Sequence, residues 1–393
     1  VYADRDGTIA YQATGSYPDR IVERGQVPSV SRERPASIVA FNNLPAALNP
    51  KKDYIVSANQ PVVPPEYPFQ LGMDFADGTR AWRIAQMIEE ADHPIDPEYV
   101  ERMHADVYSR AAEGLVESLT RLDAEAALAS WRIYRESRRA AGPAGDDEES
   151  TRVEQTAARL TSAALDVLSG WDHVMRVDSA GAAVYGYVYD ELLHQVFADD
   201  VPAHALPVAS SGFGQTVLRE LLRTPAHDLW NDRTTAGRED ATTMLERSFV
   251  AGLLRASEEH GEDVAAWRWG DAHRVTFENQ SLGQSGIGLV ERVLNRGPYP
   301  LAGGPSTVNV AHWRSREPFE VSVIASQRAI YDLADPDNSR FVHTTGQSGH
   351  PFHRHYDDMI DSWRNVEYHA SNWSYERARG AAGRRRLVLV PAE

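Results

Sequence analysis

Cysteine is absent from the 393-residue sequence. Its absence excludes disulfide bonds, thiolate metal sites and cysteine nucleophiles. The sequence also lacks any run of about 18 or more apolar residues, which a membrane-spanning helix requires. Its first residues, Val1 to Gly7, carry two Asp and one Arg where a signal peptide would have an apolar core. We therefore expect no part of this chain to enter a membrane.

Positive charge is also scarce, because 57 acidic residues outnumber 40 Lys and Arg residues and give a formal net charge of −17. Nucleic-acid binding depends mainly on Lys and Arg side chains that neutralise phosphates. We therefore expect no nucleic-acid partner. The one dense basic run, Arg384–Arg386, precedes the apolar run Leu387–Val390, and we interpret it as the solvated lead-in to a terminal strand.

The residues that are present are those of a large folded protein. Hydrophobic residues make up 42% of the chain, with 9 Trp, 16 Tyr and 10 Phe, which is enough for a large core and two or three lobes. Strand and loop patterns occupy 1–75, helical patterns occupy 76–290, and strand patterns return over 291–393. This order predicts an α+β fold in which strands from the two ends share one sheet.

Apolar residues at helical spacing predict several helices. One follows Arg80, and a second begins at Asp96-Pro97 and continues through Val107 to Leu115. Further helices are expected over 123–140, 151–169 and 188–198, with an exposed acidic connector at 142–149. Short β-rich runs predict strands at 9–14, 54–58, 307–310, 319–323 and 330–333.

Histidine and aspartate are concentrated between His343 and Asp358, and residues 350–358 alone contain three His and two Asp. Imidazole and carboxylate groups are good ligands for zinc or iron, so a metallohydrolase is one interpretation. However, Pro351 and the flanking glycines indicate a loop, and Arg354 would repel a cation. The alternative is a structural loop whose Asp pair caps a helix that begins near Met359.

Three further polar residues have ordinary structural interpretations on local sequence alone. Ser348 lies in Gly-Gln-Ser-Gly, which lacks the full G-x-S-x-G pattern of a serine elbow, so a turn is expected there. Asn59 ends a predicted strand and is either a turn residue or an amide donor to a developing oxyanion. Arg80 stands at the start of a helix and is by itself typical of a surface or salt-bridge residue.

Several segments, taken in order, resemble the β chain of the penicillin acylase family. They cover essentially the whole chain: 2–11, 14–20, 54–59, 80–84, 171–172, 178–180, 267–270, 295–300, 335–339, 346–349 and 355–358. No single segment is decisive, but their shared order makes the resemblance specific. It implies an αββα N-terminal-nucleophile hydrolase fold, present here in part, with antiparallel sheets and a large helical insertion.

The resemblance also implies a mechanism and two site residues. Members of the family derive from a precursor that cuts itself into a small α chain and a large β chain. The new N-terminal Ser attacks an amide carbonyl while its own α-amino group takes the proton. The family's oxyanion-hole asparagine matches Asn59 and its active-site arginine matches Arg80. Gln60 and Pro61 stand where the family usually has a second Asn and then an Arg.

A structural calcium ion is an expected cofactor, because several members of the family bind one. The position that aligns with an acidic calcium ligand lies near Phe69-Gln70 and is not an Asp. Asp74 and Asp77 are the nearby acidic substitutes, and most ligands are expected outside this chain.

The resemblance places the nucleophilic Ser upstream of Val1. We therefore expect residues 1–393 to be a single partial β-chain domain that lacks the nucleophile and is inactive alone. Its expected partners are the α chain, the N-terminal part of the β chain and an acyl-amide substrate. The expected activity of the whole protein is hydrolysis of linear amides in N-acylated small molecules, such as penicillins or acyl-homoserine lactones.

An alternative is an inactive truncated fragment, or a non-catalytic binding remnant of the same fold. The upstream coding sequence would discriminate between them, because it either encodes the nucleophile or does not. Members of the family are commonly exported, and this implies an extracytoplasmic location.

Overall fold

A computed structural model of the protein describes residues 1–19, 37–139, 147–209, 212–313, 319–383 and 387–391. The chain divides into two compact units. The first unit combines both ends of the sequence, Val1–His104 and Ser326–Glu393, and the second is the continuous segment Ala105–Ala325. Among the described helices, none is both long enough and apolar enough to cross a membrane.

Helices and short strands alternate along the chain. The helices are α1 (Thr79–Glu89), α2 (Pro97–His104), α3 (Arg110–Leu119), α4 (Ala124–Arg139), α5 (Asp147–Ser169), α6 (Ala180–Phe197), α7 (Leu206–Ala209), α8 (Gly212–Leu221), α9 (Ala241–His260), α10 (Trp269–Ala272), α11 (Gly288–Leu294), α12 (Ile360–Arg364) and α13 (Tyr375–Ala382). The strands are β1 (Tyr2–Ala3), β2 (Ile9–Gln12), β3 (Ala46–Leu48), β4 (Arg274–Phe277), β5 (Arg296–Pro300), β6 (Ala311–Trp313), β7 (Glu320–Ile324), β8 (Gln327–Ile330), β9 (Arg340–His343) and β10 (His369–Ala370).

The first unit contains two small antiparallel sheets. One has the order β1-β2-β3 and the other the order β10-β9-β8. A small apolar cluster of Ala13, Val39 and Leu44 lies beside the first sheet, and Phe69 and Leu71 pack against it. The prediction that strands from the two ends share one sheet is wrong for the described strands, because each end pairs with its own neighbours along the chain.

The second unit is built around α6, which is almost entirely buried. The Ser179 hydroxyl caps its start by accepting a hydrogen bond of 3.1 Å from the Ala182 N–H. Helix α9 is capped in the same way by Asp240, and it packs along α6. The apolar side chains of α6 form the centre of the largest core cluster, and its buried Asp190 pairs with Arg255 of α9 at 2.7 Å.

A four-stranded sheet, in the order β5-β4-β7-β6, completes the second unit. The pairs β4–β5 and β6–β7 are antiparallel, as predicted, whereas β4 and β7 run parallel. The parallel pair follows from the chain path, since α11, β5 and β6 lie between β4 and β7 and return the chain to the same end. Buried Trp269, Trp313 and Phe319 form an aromatic cluster, with ring centroids 5.3 Å apart in each pair.

Several predicted elements differ from the structure. The helix predicted from Asp96 to Leu115 is two helices, because Tyr108 forms an isolated β-bridge with Val174 and interrupts it. Residues 307–310 form a turn in which the Thr307 hydroxyl bonds to Gly304, so the strand begins only at Ala311. Residues 54–58 belong to no described strand, and 387–390, predicted as a terminal strand, are exposed and unpaired with any described strand. Most of the 142–149 connector lies outside the described residues.

Candidate active site

Asn59 directly follows residues 54–58, which form no helix or strand, in the first unit, and it is exposed to solvent. Its backbone is left-handed, with φ of 69°. Asparagine adopts this conformation more readily than most residues, because its short side chain makes local hydrogen bonds. The Asn59 carbonyl accepts a hydrogen bond of 2.8 Å from the Ala76 N–H. Asn59 is therefore held in place through its main chain.

Helix α1 positions Arg80 in its first turn. Gly78 precedes the helix with φ of 83°, and the Asp77 carboxylate accepts hydrogen bonds from the Thr79 N–H (3.1 Å) and hydroxyl (2.7 Å). A cation near a helix N-terminus is opposed by the helix dipole. Burial also lowers the pKa of Arg80, although the nearby Asp77 raises it. Helix stability therefore does not account for an arginine at this position.

Arg80 and Asn59 are in direct contact. The Arg80 Nη2 atom donates hydrogen bonds to Asn59 Oδ1 at 2.6 Å and to the Ala58 carbonyl at 3.1 Å. A guanidinium group has donors but no acceptor, so the amide atom that faces it must be the oxygen. This contact fixes the orientation of the amide and leaves its Nδ2 group as a hydrogen-bond donor.

Gln60 supports the same segment, a role that the sequence did not predict. Its Oε1 atom accepts a hydrogen bond of 2.7 Å from the Ala58 N–H, and its Nε2 atom donates one of 3.1 Å to the Val56 carbonyl. These bonds satisfy backbone N–H and C=O groups that have no partner strand. The only signal in the sequence was an amide residue directly after Asn59, at a position where the family usually has another amide.

The arrangement presents one oriented amide donor, made more polar by a charge-assisted hydrogen bond to its oxygen. Donors fixed before the reaction stabilise a negative charge that develops on a carbonyl oxygen. The structure thus brings together Asn59 and Arg80, which lie 21 positions apart. Their catalytic roles stay predictions.

The segment from His343 to Asp358 forms a loop of local hydrogen bonds. His355 Nδ1 lies 2.6 Å from Asp358 Oδ2, and the Ser348 N–H donates to the His355 carbonyl at 2.8 Å. Helix α12 begins after Met359, and the Asp358 carboxylate pairs with His355, so capping of this helix by the Asp pair stays a prediction. Nowhere in the described part of the chain do three or more His, Asp or Glu residues form a group that could hold a metal ion.

The two acidic residues proposed as calcium ligands, Asp74 and Asp77, lie just before α1. Asp77 caps α1, whereas Asp74 is exposed. A calcium ion stays a prediction that depends on ligands from outside this chain.

Comparison with known proteins gives one consistent relationship. The family model described as penicillin amidase matches residues 1–379. The acyl-homoserine lactone acylase QuiP of Pseudomonas aeruginosa is 28% identical over 410 residues, which cover 100% of this chain and 46% of QuiP. The penicillin acylase 2 proenzyme of Pseudomonas sp. strain SE83 is 25% identical over 401 residues, with the same coverage of 100% and 46%. The chain thus spans about half the length of these curated relatives.

A solved structure agrees with this relationship. The thermostable penicillin G acylase from Alcaligenes faecalis aligns with a TM-score of 0.59 and 15% sequence identity, covering 100% of this chain and 67% of that one. This similarity confirms the predicted N-terminal-nucleophile hydrolase fold. The match of one family model to nearly the whole chain confirms the resemblance found in the sequence. The chain belongs to the penicillin amidase family.

Proposed function

We propose that the complete protein hydrolyses the amide bond of N-acylated small molecules, with penicillins and acyl-homoserine lactones as the candidate classes. The observation that carries this proposal is the 2.6 Å hydrogen bond from Arg80 to Asn59 Oδ1. It orients an exposed amide so that the Nδ2 group is a donor. The names of the relatives, acyl-homoserine lactone acylase and penicillin acylase, support an acylase activity.

In the proposed reaction, an N-terminal Ser supplied by sequence outside this chain attacks the amide carbonyl. Its α-amino group, with an ordinary pKa of about 8, takes the hydroxyl proton. Asn59 donates a hydrogen bond from Nδ2 to the oxyanion that forms, and Arg80 holds the amide oxygen so that the donor does not rotate away. The α-amino group then gives this proton to the leaving amine as the C–N bond breaks, which leaves an acyl-enzyme. Water, deprotonated by the same amino group, attacks the ester and releases the acid and the free Ser.

The partners proposed for this chain are the α chain and the N-terminal part of the β chain. Two facts support them: the relatives are about twice as long, and one of them is named as a proenzyme. We also propose an extracytoplasmic location, which fractionation of the native host would test. Recovery of the mature protein with the cytoplasmic fraction would contradict it.

The decisive experiment replaces Asn59 by Gly in the complete protein. Glycine keeps the left-handed backbone and removes only the amide. Loss of one oxyanion donor costs about 3 kcal/mol, so kcat should fall by roughly 10²- to 10³-fold. The hydrolysis of a chromogenic N-acyl amide gives the rate, and Asn365→Gly, at an exposed position after α12, is the matched control. Turnover near the wild-type value in Asn59→Gly would refute the role of Asn59.

A second experiment separates an enzyme from a non-catalytic remnant of the same fold. The complete protein, incubated with an acyl amide and quenched with acid, should show the mass of one acyl group on the peptide that begins with the N-terminal Ser. The coding sequence before Val1 should encode that Ser at a self-cleavage junction. Absence of both the Ser and the acyl adduct would favour the remnant.

A further inference from the structure

The Gln60 side chain folds back onto the chain that precedes it. Its two hydrogen bonds, from the Ala58 N–H and to the Val56 carbonyl, need an acceptor and a donor respectively. A primary amide has its acceptor on one side and its donors on the other, so only one orientation of the Gln60 amide satisfies both backbone groups. Gln60 is half-buried and Ala58 is buried, which limits competition from water. The side chain is therefore fixed to the main chain just before Asn59.

These bonds belong to a series that holds the main chain on both sides of Asn59. Peptide groups are planar, so the chain turns between them only through φ and ψ. The Gln60 side chain holds the two peptide groups on the N-terminal side of Ala58. Arg80 holds the next group through the Ala58 carbonyl at 3.1 Å, and the Ala76 N–H holds the following one through the Asn59 carbonyl at 2.8 Å. Four consecutive peptide groups are thus each held by at least one hydrogen bond, two of them by Gln60.

Gln60 also lies beside the start of α1. A Cβ atom added at Gly78, which precedes the helix, would lie 3.8 Å from Gln60 Cβ. Pro61 disfavours the helical backbone conformation at Gln60 and so narrows the directions in which its side chain can point. Gln60 therefore stands between the segment that bears Asn59 and the helix that bears Arg80.

We propose that Gln60 is a positioning residue, which holds the Asn59 amide where the oxyanion of amide hydrolysis forms. A left-handed backbone, with φ of 69° at Asn59, persists in a residue other than glycine only while its surroundings hold it. Without the bonds from Gln60, the two preceding peptide groups can rotate and displace the Nδ2 donor. A displaced donor stabilises the transition state less, while the ground-state binding of substrate changes little. This inference rests on the proposed amide hydrolysis, and it predicts a lower kcat with a retained KM.

Gln60→Glu tests the proposal through its dependence on pH. The glutamate side chain has the same shape, but when ionised it only accepts hydrogen bonds, so it keeps the Ala58 N–H and repels the Val56 carbonyl. When protonated, it has one acceptor and one donor and restores both bonds. Since the ordinary pKa of glutamate is about 4.3, the ratio of the variant's kcat to the wild-type kcat should be about 0.1 near pH 8 and at least about threefold higher near pH 4.5. Division by the wild-type kcat at the same pH cancels the titration of the nucleophile's own amino group.

Two further variants complete the experiment. Gln60→Met keeps the length of the side chain and removes its polar ends, so its kcat ratio should be about 0.1 at both pH values, with KM within about twofold of wild type. Gln327→Glu, at an exposed position of β8, is the matched control and should keep the wild-type kcat at both pH values. The substrates are the acetyl, hexanoyl and decanoyl amides of one chromogenic amine, used with the complete protein. Each rate is corrected for the folded fraction, which circular dichroism gives at each pH.

The outcomes separate the role of Gln60 from the proposed function. Wild-type kcat in Gln60→Met, or the same kcat ratio for Gln60→Glu at both pH values, would overturn the positioning role and leave amide hydrolysis intact. Absence of turnover for every amide in the wild-type protein would overturn the proposed function and the positioning role with it. If Gln60→Met does not fold, the pH dependence of Gln60→Glu decides the question.

Discussion

Because the backbone at Asn59 is left-handed, substitutions there can test the residue's effect on stability separately from its proposed catalytic role. An alanine side chain at φ of 69° would clash with the following carbonyl oxygen, whereas glycine would not. We expect Asn59→Ala to lower the free energy of unfolding by about 1 kcal/mol and Asn59→Gly to change it by less. Urea unfolding checks this, with Asn365→Ala, at an ordinary φ of −88°, as the control. Equal losses for Ala and Gly would contradict the assignment of strain.

Arg80 is expected to act by positioning the Asn59 amide. Lysine at this position keeps the charge but lacks the rigid, planar guanidinium group whose Nη2 atom donates to both Asn59 Oδ1 and the Ala58 carbonyl. We expect Arg80→Lys to lower kcat about tenfold with little change in KM. The matched control is Arg83→Lys, since Arg83 lies on the same helix and bonds to Gln86. An unchanged kcat in Arg80→Lys would contradict the positioning role.

The identity of both residues was predictable from the sequence, but their geometry was not. A strand-ending Asn and an Arg at a helix start are ordinary features by themselves, and only the family resemblance linked them. The contact depends on the turn at Asn59 and on the cap formed by Asp77 and Thr79, which bring distant positions together. Such non-local pairing leaves no periodic signal in the sequence.

Helices α6 and α9 approach each other closely at Gly252. A Cβ atom there would lie 2.9 Å from Val188 Cα and 3.0 Å from the Tyr187 carbonyl oxygen. Because these are backbone atoms, the helices would have to separate, and we expect Gly252→Ala to destabilise the protein by about 2 kcal/mol. Thermal or urea unfolding measures this change.

Gly114 provides the matched comparison within another helix. It lies inside α3, and a Cβ atom there would meet nothing within 4 Å. Alanine has the higher helix propensity, so Gly114→Ala should stabilise the protein by about 0.5 to 1 kcal/mol. Opposite signs for the two substitutions are expected. If Gly252→Ala also stabilised the protein, α6 and α9 would have to accommodate a methyl group at this position without separating.

The spacing of apolar residues along the sequence predicted the helices well and the strands poorly. The helices expected over 123–140 and 151–169 correspond to α4 and α5, because their apolar residues recur within one continuous segment. The break between α2 and α3 was missed, since it depends on Tyr108 pairing with Val174 far along the chain. The run at 307–310 has a strand-like composition, but the Thr307 hydroxyl stabilises a turn there instead.

We expect the free energy of unfolding to decrease at acid pH because of His273. This residue is fully buried, stacked on Trp269, and 2.6 Å from the Leu301 carbonyl through Nδ1. Burial lowers its pKa from 6.5 to about 4, although its two carbonyl contacts oppose the shift. As pH falls from about 6.5 to 4, the unfolded chain binds a proton that the folded protein does not, so stability falls.

The expected loss over this range is on the order of 3 kcal/mol from this residue. Urea unfolding at several pH values measures it. His273→Gln should remove this part of the pH dependence, whatever its effect on stability at pH 7. The exposed residue His353 supplies the control substitution His353→Gln, which should retain the wild-type slope. If the free energy of unfolding of His273→Gln changed with pH as steeply as that of the wild type, other groups would cause the dependence.

The hydrogen bond between the Asn59 carbonyl and the Ala76 N–H has a consequence for how such proteins diverge. It closes the base of the loop formed by residues 61–75, so these residues can change in number without displacing Asn59 or Arg80. The entropic cost is small, about 0.6 kcal/mol for each doubling of a flexible loop. Insertions, deletions and substitutions in this loop should therefore accumulate among related proteins, while the contact between Asn59 and Arg80 at its base is kept.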